Sequence, residues 1–323
     1  MKIIIITPAG ASSRAGNRIT AQRWARFLRE MGHKVTLQSV WNGQAADLML
    51  ALHARRSHDS IKRFAARWPG RPLIVVLTGT DLYRDIRTDP DAQESMRLAT
   101  RLVVLQEQGL QELAPEIRAK TNVVVQSAQP HTQFVSPPEN RFVVCVIGHL
   151  REEKDPFRTA LALPLLPPES RIELIHMGRA LNPEMAQQAR ELMATLPRYH
   201  WLDNVPHWQV RRKLVRSHLM VISSRMEGGA NVVSEALAAG VPMLASAIPG
   251  NIGLLGPDYA GYYPLGDETA LAQLLTRAES SPEFYALLKR QCASRAALAD
   301  PKNEQQGLAM MLREALDGTQ DRA

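Results

Sequence analysis

The chain has 323 residues, 45% hydrophobic and 22% charged, which excludes a disordered or fibrous protein and leaves enough apolar material for two cores of roughly 150 residues each. Its 39 basic against 32 acidic residues give a net charge of +7, and with aromatic residues at only 5% and no zinc or recognition-helix pattern the excess suits small anionic ligands better than nucleic acid. No run approaches the roughly 20 apolar residues of a spanning helix, and Cys145 and Cys292 form no disulfide framework, so the expectation is a cytoplasmic protein without stable membrane insertion.

Taken in chain order, Lys2–Thr7 is too short for a signal sequence and reads as a first buried strand. The stretch after it holds Gly10, Arg14, Gly16, Asn17 and Arg18 and opens a helix expected over Thr20–Met31, so it offers free N–H groups and cations to an anion. It lacks a clean G-x-G-x-x-G, and a plain connecting loop stays open as the other reading. Strands follow at Lys34–Gln38 and Leu48–Leu52, and His53, Arg55 and Arg56 then place an imidazole and two guanidiniums at a carboxyl end of the sheet. A helix over His58–Arg67 and a strand over Leu73–Leu77 lead to the turn Thr78-Gly-Thr80-Asp81. Asp89-Pro-Asp91 has the spacing of a metal-binding D-x-D, but Asp89 suits an N-cap and Pro90 the first helical position, so a helix start is expected. His53 and His58 lack the i, i+4 spacing of a zinc pair, and no metal is expected. Strands at Leu102–Leu105 and Asn122–Gln126 complete a Rossmann-like alternation, and the proline-bearing stretch Gln129–Asn140 reads as a linker.

The second half restarts with a strand over Phe142–Ile147, followed by His149, Arg151 and Lys154. Farther on, the strand Leu219–Ile222 leads through Arg225-Met-Glu227-Gly-Gly-Ala-Asn231 to a helix that stops at Gly240. Gly228 and Gly229 carry no Cβ, and the N–H groups opening a helix near Asn231 point at whatever anion sits there, which suits a diphosphate. Glu235, one turn into that helix, is then in reach of a ribose diol, and Glu227 on the loop can accept hydrogen bonds from sugar hydroxyls. A bare pair of glutamates at this spacing is also what a solvated helix start looks like.

The order of these blocks resembles the GT-B glycosyltransferases of the family-4 type. Five stretches, Leu52–Ser57, Leu77–Asp85, Val146–Pro156, Ser224–Val232 and Gly250–Gly256, look most like the selenosugar synthases of selenoneine biosynthesis, which join a UDP-sugar to selenophosphate. The resemblance implies an α/β fold of two Rossmann-like domains facing across a cleft. Residues 1–135 would form the acceptor domain, 136–303 the nucleotide-sugar domain, and 304–323 a helix packing back on the first. It also implies that Lys154 and Arg151 neutralise the leaving diphosphate, so that neither a metal nor any other cofactor is needed. Relatives commonly carry arginine where this chain has His149, and many have a histidine in the turn occupied here by Thr78–Asp81, including Thr80. An acceptor that is already anionic does not need that histidine. His53 or Asp81 is then a candidate for positioning the water that cleaves a phosphorus–selenium bond. Arg225 and Ala230 belong to the donor stretch, Arg55 and Arg56 to the side that takes selenophosphate. A transferase using a hydroxyl acceptor, lipid or polysaccharide, and a non-catalytic module binding anions or nucleic acid are the alternatives.

Overall fold

The computed structural model describes residues 1–8, 10, 16–130 and 135–320. Arg14 and part of the expected linker, His131–Phe134, lie outside the described residues.

The chain divides into two units. The first comprises residues 1–126, Glu227–Ala230 and 301–323; the second comprises Ser127–Met226 and Asn231–Asp300. The first unit runs β1 (Lys2–Ile6), α1 (Gly16–Glu30), β2 (Lys34–Gln38), β3 (Leu48–Leu52), α2 (His58–Arg67), β4 (Leu73–Val76), α3 (Ile86–Thr88), α4 (Pro90–Leu98), β5 (Arg101–Val104), α5 (Pro115–Arg118) and β6 (Thr121–Val123). Its six strands are parallel in the order β2-β1-β3-β4-β5-β6. Side chains alternate across the sheet, and both faces are dry. Ile4, Ile6, Met49, Ala51 and Val75 enter one apolar cluster, while Ile3, Ile5, Leu48, Leu50 and Val76 enter the other. Burial on both sides is why these strands read as unbroken apolar runs.

The second unit runs β7 (Phe142–Ile147), α6 (Arg158–Ala162), β8 (Ile172–Met177), α7 (Pro183–Thr195), β9 (Tyr199–Trp201), α8 (His207–Leu214), β10 (Leu219–Ile222), α9 (Asn231–Ala239), β11 (Met243–Ser246), α10 (Pro249–Leu255), β12 (Tyr262–Tyr263), α11 (Glu268–Ser280) and α12 (Pro282–Arg295). Its parallel sheet has the order β12-β11-β10-β7-β8-β9, that of a doubly wound nucleotide-binding domain. The closing helix α13 (Pro301–Gln320) belongs to the first unit, where Leu308, Met311, Leu312 and Ala315 share a buried cluster with Trp24, Phe27 and Leu28 of α1. Among the described residues no helix is long and apolar enough to cross a membrane.

Two local differences from the sequence expectation have physical causes. Helix α1 begins at Gly16, four residues before Thr20, because Thr20 donates its hydroxyl back to the Gly16 carbonyl and so already sits inside a turn. Residues Asp81–Asp85 form a π-helical turn that no periodicity announces, since its five-residue spacing has no stripe of its own.

Candidate active site

In the second unit the sheet order reverses at β7 and β10, the point where ligands bind outside the carboxyl ends of doubly wound strands. A small cavity lies there, lined among others by Gly148, Lys154, His176, Ser223 and Ser224. Lys154 closes a short 3-10 turn, Glu152–Lys154, which ends on Asp155 in the left-handed region at φ 42°. The end of β10 holds this turn in place. Ser223 shares its hydroxyl hydrogen between the carbonyls of Lys154 (3.1 Å) and Asp155 (2.8 Å), and the Arg225 N–H donates to the Glu153 carbonyl at 2.8 Å. Arg151, half-buried, directly precedes the same turn, and the exposed Arg225 guanidinium stands 3.9 Å from Asp155. His149 is half-buried and accepts the Arg179 N–H on Nδ1 at 3.1 Å.

His176 forms the floor of this cavity. Its Nε2 meets the Gly148 carbonyl at 3.3 Å, so Nε2 carries the proton, and Nδ1 accepts from the Tyr199 hydroxyl at 3.1 Å. Complete burial pushes its pKa down to about 4, against the raising effect of the Gly148 carbonyl. Beside it the backbone is closely stacked: a Cβ on Gly178 would lie 1.8 Å from the Gly148 carbonyl oxygen. Only glycine fits there.

Helix α9 starts at Asn231, which puts the half-buried Glu235 one turn in. Its Oε1 is 2.9 Å from Nε2 of His207, the first residue of α8. The loop ahead of α9 uses its glycines differently from the sequence expectation. A Cβ on Gly228 would sit 2.4 Å from the Thr78 carbonyl carbon, and one on Gly229 would sit 2.4 Å from Leu105 Cβ. Their missing side chains are thus taken up by close packing within the first unit, to which Glu227–Ala230 belongs. Glu227 and Ala230 are buried there, and the Glu227 charge adds to burial in raising the pKa of Tyr83.

At the carboxyl ends of β3 and β4 the structure brings His53, Thr80 and Asp81 together. His53 adopts φ 74°, which turns the chain out of β3 and into the loop before α2. Its Nδ1 accepts the Arg56 N–H at 3.3 Å, so Nε2 holds the proton and donates to Thr80 Oγ1 at 3.0 Å. Burial lowers the His53 pKa, with Arg56 adding to the effect and Asp81 opposing it, so the ring is held neutral. Asp81, fully buried, accepts the N–H groups of Thr78 (2.8 Å), Gly79 (2.9 Å) and Ala54 (2.9 Å). Three amide donors occupy that carboxylate, which ties the β3 and β4 turns together and leaves it little capacity to bind a water. Arg55 is paired with Asp85 at 2.8 Å, whereas Arg56 is exposed. Asp89 caps α4 by accepting the Ala92 N–H at 3.0 Å with Pro90 at the first helical position, so Asp89-Pro-Asp91 is a helix start.

Along the same edge of the first sheet several buried polar atoms have no hydrogen-bond partner among the described residues. They are Thr7 Oγ1 after β1, Arg18 Nε in the first turn of α1 and Gln106 Oε1 after β5. Buried polar groups are nearly always paired, and these three unpaired atoms lie at the carboxyl edge where parallel sheets take ligands. Gly10 is exposed, as is Gly16, while Asn17 is half-buried at the opening of α1. Sequence reasoning missed Tyr83, Gln106, Gln126 and His207. Gln106 donates to the Tyr83 hydroxyl at 2.8 Å, and His207 pairs with Glu235 at 2.9 Å across 28 positions, both tertiary pairings with no local signal.

A family model described as glycosyl transferases group 1 matches residues 128–295. The glycosyltransferase 1 domain-containing protein 1 of Xenopus tropicalis is 23% identical over 325 residues, covering 92% of this chain and 91% of that protein. Among solved structures, a sucrose-phosphate synthase from Thermosynechococcus elongatus superposes with a TM-score of 0.77 at 15% identity, covering 97% of this chain and 98% of that one. Anabaena HepE in complex with UDP-glucose gives a TM-score of 0.76 at 16% identity over 97% and 99% of the two chains. Both neighbours share the pair of parallel-sheet α/β domains of the GT-B fold. The family match takes in the second unit's sheet, its cavity and the loop that precedes α9, and this chain belongs to the glycosyl transferases group 1 family.

Proposed function

We propose that this glycosyltransferase moves a sugar from a UDP-sugar to the selenium of selenophosphate. Selenium's lone pair forms the bond to the anomeric carbon as the bond to the diphosphate oxygen breaks, and the electron pair leaves with UDP. Water then attacks phosphorus, the phosphorus–selenium pair goes to selenium, and phosphate departs from the selenosugar. Support for the donor comes from family membership, from the UDP-glucose named with HepE, and from the position of Lys154 at the switch point of the second sheet. Lys154 and Arg151 are assigned to the diphosphate, where fixed cations stabilise developing charge without a metal. His149, Arg225 and the Gly228–Asn231 stretch are assigned to donor binding. Glu235, oriented by His207, takes the ribose and Glu227 the hexose.

The observation that carries the acceptor reading is the buried Arg18 Nε with no partner among the described residues. An unpaired buried guanidinium N–H is costly, and a multiply charged oxyanion offsets that cost far better than a neutral hydroxyl. Gly10, Gly16 and Asn17 open the same turn, and Arg56 supplies a further exposed cation. Selenophosphate arrives with an anionic nucleophile, which agrees with the turn Thr78–Asp81 standing where many relatives have one that holds a histidine. His53, through its neutral ring, is assigned to the water that cleaves the phosphorus–selenium bond, and Asp81 to holding the turn. Unpaired, buried Cys145 and Cys292 favour a reducing compartment, and we place the reaction in the cytoplasm. Initial rates of UDP release test this reading. Losing a charge-assisted hydrogen bond worth about 1.5–3 kcal/mol, Arg18→Ala should raise the KM for selenophosphate tenfold or more, at unchanged KM for the UDP-sugar. An unaltered selenophosphate KM contradicts it.

A further inference from the structure

Away from every residue assigned above, α2 and α4 of the first unit bring together His58, Asp91 and Glu94. His58 opens α2 and is 9% exposed, while Asp91 and Glu94 stand three apart on α4. One ligating atom from each lies within 4.8 Å of the other two. The tautomer of His58 can be read from its surroundings. Ser95 donates its hydroxyl hydrogen to the Ala54 carbonyl at 2.8 Å, so its oxygen can only accept from His58 Nδ1, 3.0 Å away. The proton of a neutral ring is therefore on Nδ1. Nε2, a bare lone pair in that state, faces Glu94 Oε2 at 3.2 Å and Asp91 Oδ1 at 3.4 Å. With the ring neutral, three electron-rich atoms converge there with no hydrogen among them.

The structure assigns these three residues to a divalent cation site of the zinc type, which we propose as a structural clamp between α2 and α4. With zinc–nitrogen and zinc–oxygen bonds of about 2.0–2.1 Å, neighbouring ligand atoms of a tetrahedron lie about 3.3–3.4 Å apart, and the two nitrogen–oxygen separations fit that edge length. Two carboxylates balance the charge of the dication. The Nδ1–H to Ser95 bond is the outer-shell anchor that metal-ligating histidines characteristically have, here relayed to the backbone at Ala54. Water completes the fourth position. Lys62 reaches the same Glu94 oxygen at 3.2 Å, but its side chain is 59% exposed and leaves it without a desolvation cost. This cation is separate from the metal-free donor chemistry proposed above, and the site can exist whether or not selenophosphate is the acceptor.

The test uses the untagged full-length protein stripped with a chelator. One equivalent of Co2+ should give the intense visible spectrum of a tetrahedral ion, and Zn2+ should displace it and raise the Tm. Asp91→Asn and Glu94→Gln, both at half-exposed or exposed positions, should each weaken Co2+ binding about tenfold or more while leaving circular dichroism unchanged. Three results overturn the site: a pale six-coordinate cobalt spectrum, variants that bind Co2+ as tightly as the parent, or a nitrogen NMR spectrum at pH 8 showing both ring nitrogens of metal-free His58 protonated. The last would mean that the carboxylates hold an imidazolium instead.

Discussion

His176 shows how a single residue makes this protein sensitive to acid. In the native state burial holds its pKa at about 4, whereas the unfolded chain titrates near the ordinary histidine value of 6.5. Between those values the unfolded state binds a proton that the native state refuses, so stability falls as pH drops below 6.5 and levels off below about 4. From pH 7.5 to 5 the loss through this one ring is about 2 kcal/mol. Urea unfolding of the parent and of His176→Gln at pH 7.5 and 5.0 checks this. The variant starts less stable, having lost the bonds to Tyr199 and Gly148, but should lose about 2 kcal/mol less than the parent on acidification. Equal losses in the two proteins would contradict the assignment. The residue was silent in the sequence because a histidine inside an apolar strand carries no mark of its partners, and both of those come from neighbouring elements.

At the scale of elements, the turns after β3 and β4 act as one piece because Asp81 bonds to both. Asp81→Ala leaves three amide donors unpaired, at a cost of about 1–3 kcal/mol each, and should unfold the turn and abolish activity. Asp81→Asn separates structure from chemistry. Its remaining carbonyl oxygen can still accept from Thr78 and Gly79, so the variant should be destabilised by no more than about 3 kcal/mol and should keep most of its kcat. A folded Asp81→Asn protein with no turnover would restore Asp81 to the chemistry. Element boundaries were legible wherever the signal is local. The apolar run at Leu48–Leu52 is β3, Asp89 with Pro90 starts α4, and Gly240 ends α9 at φ 66°. The glycine pair was legible as a place where Cβ is forbidden but not as to why. The atoms that forbid it, in Thr78 and Leu105, lie more than a hundred residues away in the chain. The pairing of His207 with Glu235 is of the same kind, joining two helices across 28 positions.

For the whole molecule, α13 completes the first unit's core. Glu304, 1% exposed, accepts from Trp24 Nε1 at 2.6 Å and from Arg23 Nε at 2.8 Å. Removing a charged acceptor from two such donors costs roughly 2–3 kcal/mol or more, so Glu304→Ala should lower the urea midpoint accordingly, and ending the chain at Asp300 should prevent folding by uncovering Trp24, Phe27 and Leu28. A truncated protein with native near-UV dichroism would contradict that role. Alternating strands and helices made both doubly wound sheets legible, because each unit obeys the same local rules throughout. The proposed acceptor rests in the sequence on the resemblance alone, since selenophosphate contributes no motif of its own, and the orphaned polar atoms of Thr7, Arg18 and Gln106 emerge only on folding.

The most direct measurement incubates the purified protein with UDP-glucose or UDP-N-acetylglucosamine, with and without selenophosphate, and analyses the products by mass spectrometry. The account predicts a sugar bearing selenium's isotope pattern, formed together with UDP and phosphate and only when selenophosphate is present. UDP released solely in the presence of a hydroxyl acceptor, with no selenium in any sugar, would contradict it.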